Sequence, residues 1–282
     1  MKSNAGSVIL VCLLIILTAC NAEIDNREVQ TIQDSENLLI GENISPNDNL
    51  VKFAVGEWAP YVSQEIDNYG FTSAIVKAAY REVGIEIKIE FYPWTRAVMM
   101  TENALVVGSF PWVDSNDYSE TYIKTVPFCT SIEKFVYLKS NKNIPEKIIS
   151  DDDLKHLKIC GIKEYTNLDI MLNRGFDVEV CNNELEALTK VLNGRIDTYP
   201  ANPHVVKQML KEHFPNQTDQ VAYLEPPLIE QGMALFISKE HPQSEFYRDK
   251  FNEGFKLIVE SGKYDEILED YELKELGVKI DK

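Results

Sequence analysis

The sequence predicts an α/β protein of two lobes, each a mostly parallel sheet flanked by helices, with a ligand cleft between them. Three observations carry this expectation. From residue 51 short β-type runs alternate with amphipathic helical stretches, the rhythm of a parallel sheet covered by helices. The rhythm stops and restarts near residue 157. Extended segments near 134–139 and 232–237 frame the restart, so the second unit reads as inserted into the first. Two such units predict two lobes rather than one extended sheet.

The segments ahead of residue 51 come first. Lys2 precedes an apolar run over 8–17, followed by Leu17-Thr18-Ala19-Cys20. Ten apolar residues are too few for a hydrocarbon core, which needs about 20. They have the size of a secretory h-region ahead of a small-residue cleavage point. Two readings follow: a cleaved signal peptide with an incidental cysteine, or a lipoprotein signal, since Leu-Thr-Ala-Cys resembles a bacterial lipoprotein box. The second is preferred. It makes 1–19 the signal peptide and Cys20 a lipidated N-terminus carrying palmitate-type chains. Residues 20–49, polar and without an apolar face, then form a tether that holds the folded body off a membrane.

In the body, Val51–Val55 is a strand broken at Gly56. Phe71, Ile75, Ala78, Ala79 and Val83 fall on one helical face. Residues 85–91 alternate as a strand, Pro93-Trp94-Thr95 opens a helix to about Thr101, and 104–108 reads as a buried strand. In the second unit 157–162 is a strand, Thr166–Asn173 a helix and 177–181 a strand. Leu185, Leu188 and Leu192 mark a helical face, 196–199 is strand-like, and a helix runs from Asn202 to about His213. Phe251, Phe255, Ile258 and Val259 mark a closing helix, with a last one over 264–271. The expected lobes are 51–137 plus 233–275, and the inserted 138–232.

Composition narrows the partners. Lys and Arg number 28 against 45 Asp and Glu, a formal charge of −17. Binding to nucleic acid or to anionic lipid needs basic patches, so both are disfavoured. Of five cysteines, Cys12 leaves with the signal and Cys20 takes lipid. Cys129, Cys160 and Cys181 remain, and an oxidising compartment permits one disulfide among them. Cys160 and Cys181 fall on strands read as neighbours, which makes them the candidate pair. The histidines at 156, 204, 213 and 241 are dispersed and no Cys-x-x-Cys occurs, so neither a metal site nor a cofactor is expected.

Seven segments, in order, resemble a known family. Val55-Gly56-Glu57-Trp58-Ala59-Pro60-Tyr61 is similar to a first strand and its ligand-facing loop, and Gly70-Phe71 to the start of the first helix. Pro93-Trp94-Thr95-Arg96-Ala97 follows the second strand. Ser109-Phe110-Pro111-Trp112 follows the third, and Val126-Pro127-Phe128 leads into the next segment. Asn193-Gly194-Arg195-Ile196-Asp197 and Gly262-Lys263-Tyr264-Asp265-Glu266-Ile267 occur in the second half. Together they resemble the extracellular solute-binding proteins of ABC importers, in the family 3 group that includes polar amino-acid binders. The resemblance implies a type II periplasmic-binding-protein fold over roughly 51–271.

In open α/β lobes ligands sit beyond the carboxyl ends of strands, beside helix N-termini. That rule selects Glu57, Trp58, Tyr61, Trp94, Arg96, Phe110 and Trp112 in the first lobe. In the second it selects Tyr165, Thr166, Asn167, Tyr199, Asn202 and His204. The chain's three tryptophans all fall in the first set and offer a π surface to a ring, an aliphatic chain or a cation. Thr166 and Asn167 also suit plain helix capping. The family's carboxylate-clamping Arg is replaced by Tyr118, in Ser115-Asn116-Asp117-Tyr118, and its ammonium-binding Asp by Asn202. The usual α-amino-acid ligand is therefore in doubt. Arg96 stands in for the lost clamp and Glu57 or Asp114 for the cation site, or else the ligand is neutral.

The resemblance implies a non-enzymatic, monomeric, exported protein at the periplasm or cell surface, anchored by lipid on Cys20. It captures a small polar or aromatic, amino-acid-like solute for an ABC permease. The alternatives are a binding protein that presents its solute to a membrane signalling receptor, and a dehydratase on the same fold.

Overall fold

The computed structural model describes residues 50–114, 119–163 and 165–278. The signal peptide, Cys20, the tether and Tyr118 lie outside the described residues. Among the described residues, no helix is long and apolar enough to cross a membrane.

Chain order alternates as the sequence predicts. β1 (Val51–Val55) leads to α1 (Phe71–Glu82), β2 (Ile87–Phe91), α2 (Trp94–Glu102), β3 (Gly108–Val113), β4 (Tyr122–Lys124) and the long β5 (Cys129–Leu138). β6 (Ile159–Ile162), α3 (Thr166–Asn173), β7 (Val178–Cys181), α4 (Glu184–Leu192), β8 (Thr198–Ala201), α5 (Pro203–His213) and β9 (Val221–Tyr223) follow. β10 (Ile229–Ser238), α6 (Ser244–Glu260) and α7 (Lys263–Asp270) close the body.

The strands hydrogen-bond in the order β2-β1-β3-β10-β5-β8-β6-β7, with β4 on β10 and β9 on β5. β1 pairs in parallel with β2 and β3, and β6 with β7 and β8. Those are two parallel α/β units, but the ladder between them is continuous, against the expectation of separate sheets. The reason is β5. Its residues 129–133 pair antiparallel with β10 and its residues 134–137 with β8, so one long strand serves both units.

Separate apolar cores mark the two lobes. One gathers Phe53, Phe71, Ile75, Phe110, Phe128, Leu235, Phe251, Phe255 and Ile258. The other joins Val136, Cys160, Ile162, Leu188, Val191, Tyr199, Val206 and Leu210, beside a smaller cluster of Phe135, Leu154, Met171 and Leu224. In the first core α1 packs closely on α6. Gly254 permits this approach, because a Cβ there would lie 1.8 Å from the Ala79 carbonyl oxygen. In the second, a disulfide joins Cys160 on β6 to Cys181 on β7 with Cα atoms 6.2 Å apart.

Two boundaries differ from the sequence reading. The strand expected at 104–108 is β3 at Gly108–Val113, with Val106 and Val107 buried just ahead of it. On α4 the buried face is Ala187, Leu188 and Val191, while Leu185 is exposed.

Candidate functional site

The loop after β1 folds back on itself: the Trp58 amide donates to the Val62 carbonyl at 2.7 Å and the Val62 amide to the Trp58 carbonyl at 3.0 Å. The turn stacks the Trp58 ring on the Tyr61 ring, with centroids 4.1 Å apart. Such pairs contribute about 0.5–1.5 kcal/mol beyond area burial. α1 then fixes the loop, since the Thr72 amide and hydroxyl both donate to the Tyr61 carbonyl.

Tyr61 is fully buried and links the two lobes. Its hydroxyl donates to the Thr130 carbonyl on β5 at 3.1 Å and accepts from Asn202 Nδ2 at 2.7 Å. Asn202, itself buried, is the N-cap of α5, where its Oδ1 accepts from the His204 amide. The predicted residues Tyr61 and Asn202 thus meet across 141 positions of sequence.

Asn167 is also buried but does not cap its helix. Tyr165 is the N-cap of α3 and makes no side-chain cap. The Asn167 side chain turns inward and donates from Nδ2 to Glu133 Oε2 at 2.7 Å, leaving its Oδ1 without a partner. Thr166, one residue earlier, faces solvent.

Glu133 on β5 and Glu184 at the start of α4 are the site residues that the sequence reading missed. Both keep partial solvent access while protein surrounds them on most sides. Burial pushes the Glu133 carboxyl up to about 7 against the lowering bond from Asn167. Burial, and next the neighbouring Glu133, push Glu184 up to about 8. A helix N-terminus favours a carboxylate by about 0.3–1 kcal/mol. The upward shift at Glu184 corresponds to a cost on the order of 4–5 kcal/mol, so burial wins. Tyr165 and Tyr199 surround the pair, and their phenols are pushed up by burial and then by Glu184. The Tyr199 hydroxyl is buried and unpartnered.

One signal for Glu133 existed. It alternates with Ser131 and Phe135 along one face of β5, and both of those are buried, so an acid stands in phase with core residues. Glu184 gave only its position, at a helix start three residues after β7, and an acid in a first helical turn is also the ordinary choice.

The remaining predicted residues make separate contacts, and among them Glu57, Trp94 and Trp112 form one cluster. Trp94 donates from Nε1 to the Glu57 carbonyl at 3.2 Å and meets Trp112 edge-on at 5.1 Å between centroids. Gly56 makes room for it, since a Cβ there would sit 2.4 Å from the Trp94 ring. Glu57 accepts from the Gln64 amide and side chain, and Asp114 is paired with Lys124. Arg96 is exposed and lies over the Tyr92 ring at 4.8 Å. His204 pairs with Glu275 at 3.1 Å. Phe110 is no cleft residue: it is fully buried in the first core, 6.1 Å from Phe53 between centroids, because β3 extends through it and turns its ring inward.

No protein-family model matches the chain, and no curated protein sequence matches it. Solved structures do match. The GluR0 ligand-binding core of Nostoc punctiforme, in complex with L-glutamate, is 15% identical with a TM-score of 0.65, covering 79% of this chain and 99% of its own. A histidine kinase sensor domain similar to periplasmic binding proteins is 15% identical with a TM-score of 0.65, covering 80% and 97%. The arginine-, lysine-, histidine-binding protein ArtJ of Geobacillus stearothermophilus is 17% identical with a TM-score of 0.63, covering 78% and 94%. With two parallel α/β units joined by crossing strands and nearly the whole length of each neighbour matched, this chain has the two-lobed type II periplasmic-binding-protein fold.

Proposed function

We propose that the protein is a solute-binding protein that captures a small, polar, amino-acid-like solute between its lobes and passes it to an ABC importer. One observation carries this reading. Trp58 and Tyr61 from the first lobe, and Asn167, Tyr199 and Asn202 from the second, converge on one polar interior where two side-chain polar atoms of the second lobe stay unpartnered. Buried polar groups are ordinarily satisfied, and a ligand between the lobes satisfies these. The lobes of the proposal are 51–137 plus 233–275 and 138–232, and the solute-lining set is Trp58, Tyr61, Tyr165, Asn167 and Asn202. Export, a lipid on Cys20 and a monomeric state complete it. Names of neighbours support the importer role: one is the second substrate-binding domain of Lactococcus lactis GlnP, another the substrate-binding protein of an amino-acid ABC transporter.

A receptor-coupled role is the second reading, favoured by the sensor-domain neighbour, whose TM-score equals that of the GluR0 core. A thermal-shift screen over amino acids, amines, organic acids and sugars tests solute binding directly. A ligand at 100 times its Kd adds about 2.7 kcal/mol of stability, and a screen with no stabilising member refutes the reading. Palmitate labelling of the wild type that persists in Cys20→Ala refutes the anchor.

A further inference from the structure

We infer that Glu133 and Glu184 form the seat for the cationic end of the solute, which makes the solute an organic amine or guanidine rather than a neutral molecule or an acid. The inference rests on the solute-binding reading above and deepens it.

The two carboxyls interact with each other inside the protein, and among the described residues neither forms an ion pair with a lysine or arginine. Asn167 gives Glu133 one hydrogen bond, which leaves most of its acceptor capacity open. A pair of acids alone does not make a site, but two further groups point into this one. Asn167 Oδ1 is buried and unpartnered directly beside its bonded Nδ2, and the buried Tyr199 hydroxyl is unpartnered with Glu184 as its strongest charged neighbour. All four groups offer acceptors, and an ammonium or guanidinium brings only donors. The aromatic rings of Tyr165 and Tyr199 supply the apolar, cation-attracting wall.

Among the described residues no first-lobe lysine or arginine is paired with the acids, and the unpartnered buried side-chain donors of that lobe include Trp58 Nε1, on the ring stacked over Tyr61. Arg96 is exposed over Tyr92 rather than turned toward the acids. The groups facing the acids are Tyr61 from the loop after β1, Tyr165 ahead of α3, Tyr199 on β8 and, beyond it, Tyr223 on β9. Burial pushes every one of these phenols up. Of these groups, the two carboxyls are the ones that titrate near neutral pH, and a cation seated between them displaces protons into solvent.

The experiment is a calorimetric titration of the whole protein with cadaverine, agmatine, lysine, arginine, glutamate, glutamine and maltose, each in two buffers of different ionisation enthalpy near pH 7. Cadaverine or agmatine should bind with proton release. Glu133→Gln and Glu184→Gln should each weaken that binding at least tenfold and reduce the proton release, with unchanged near-ultraviolet circular dichroism. Glu184→Asp, which keeps the charge, should recover part of the affinity. Binding of glutamate, glutamine or maltose without any cationic member overturns the inference and leaves the solute-binding reading standing. Equal cation affinity in both Gln variants also overturns it. If no compound binds, the inference falls and the broader screen decides the solute-binding reading separately.

Discussion

Replacing Tyr61 by Phe removes one oxygen from the contact that ties the lobes together, and the cost follows from what is left behind. The ring keeps its stack on Trp58 and its place in the core, so packing changes little. Asn202 Nδ2 loses its partner at 2.7 Å and the Thr130 carbonyl loses its donor at 3.1 Å. Asn202 is only 1% exposed, so water reaches the freed amide poorly. Stranding one buried polar group costs about 1–3 kcal/mol. Asn202→Ala deletes the same bond together with the N-cap of α5, itself a loss of about 0.5–2 kcal/mol. Combined, the two substitutions should cost less than their sum, with a coupling of about 1–2 kcal/mol. Urea denaturation of the wild type, both single variants and the double variant measures it, provided the slopes agree. Additivity within about 0.5 kcal/mol would refute the bridge as a contributor to stability.

Three more outcomes follow from the same structure. Glu133 and Glu184 have folded-state pKa values of about 7 and about 8 against an ordinary 4.5, so folding favours their protonated forms. Their contribution is full below the unfolded value, declines progressively as pH rises above it, and is gone once pH has passed about 7 to 8. The ligand-free melting midpoint should therefore fall from about pH 5 to about 8 and level off above that; His204 and His241, both pushed down by burial, are already neutral over the upper part of that range. The Glu133→Gln, Glu184→Gln double variant should flatten that fall, and an equal fall in the variant contradicts the assignment. Replacing both Cys160 and Cys181 by Ser opens a loop of sequence separation 21. That should cost about 3 kcal/mol in urea denaturation. Gly254→Ala forces a methyl toward the Ala79 carbonyl and should lose at least about 1–3 kcal/mol as α6 moves off α1, read as a lowered thermal midpoint.

Much of the fold was legible because periodicity reports which face is buried. Phe71, Ile75 and Ala79 fell on one helical face, and all three are buried on α1. β3 was misplaced for a definite reason. Pro111 lies inside it, and proline argues against a strand interior because it lacks an N–H. The β3–β10 pairing absorbs it with a register shift between Ala234 and Phe236, which pair with Trp112 and Ser109. Nothing local announces such a shift. On the candidate site, strand-end logic selected Tyr61 and Asn202, which bond to each other, and Asn167, but not its partner Glu133. Glu133 lies within a strand, outside the reach of that rule, whereas Glu184 opens α4 three residues after β7 and was within its reach. An acid becomes unusual only when its surroundings exclude water, and those surroundings come from distant sequence.

The position of Glu133 along β5 explains why the polar interior forms there. Residue 133 is the last to pair with β10, opposite Ile229, and residue 134 is the first to pair with β8, opposite Ala201. The strand changes partners between these two residues. Side chains next to such a change lie between the two lobes, with α4 and α5 packed on β5 from the second. A polar group can persist there only if side chains from both lobes reach it, and Tyr61 from one and Asn167 from the other approach this acid. A solute meeting Glu133 therefore contacts both lobes within the length of one side chain. Closing the lobes around it demands no long reach across the cleft, so the tightest contacts of a small ligand should lie at this change of partners rather than at the outlying Trp94 and Trp112 pair.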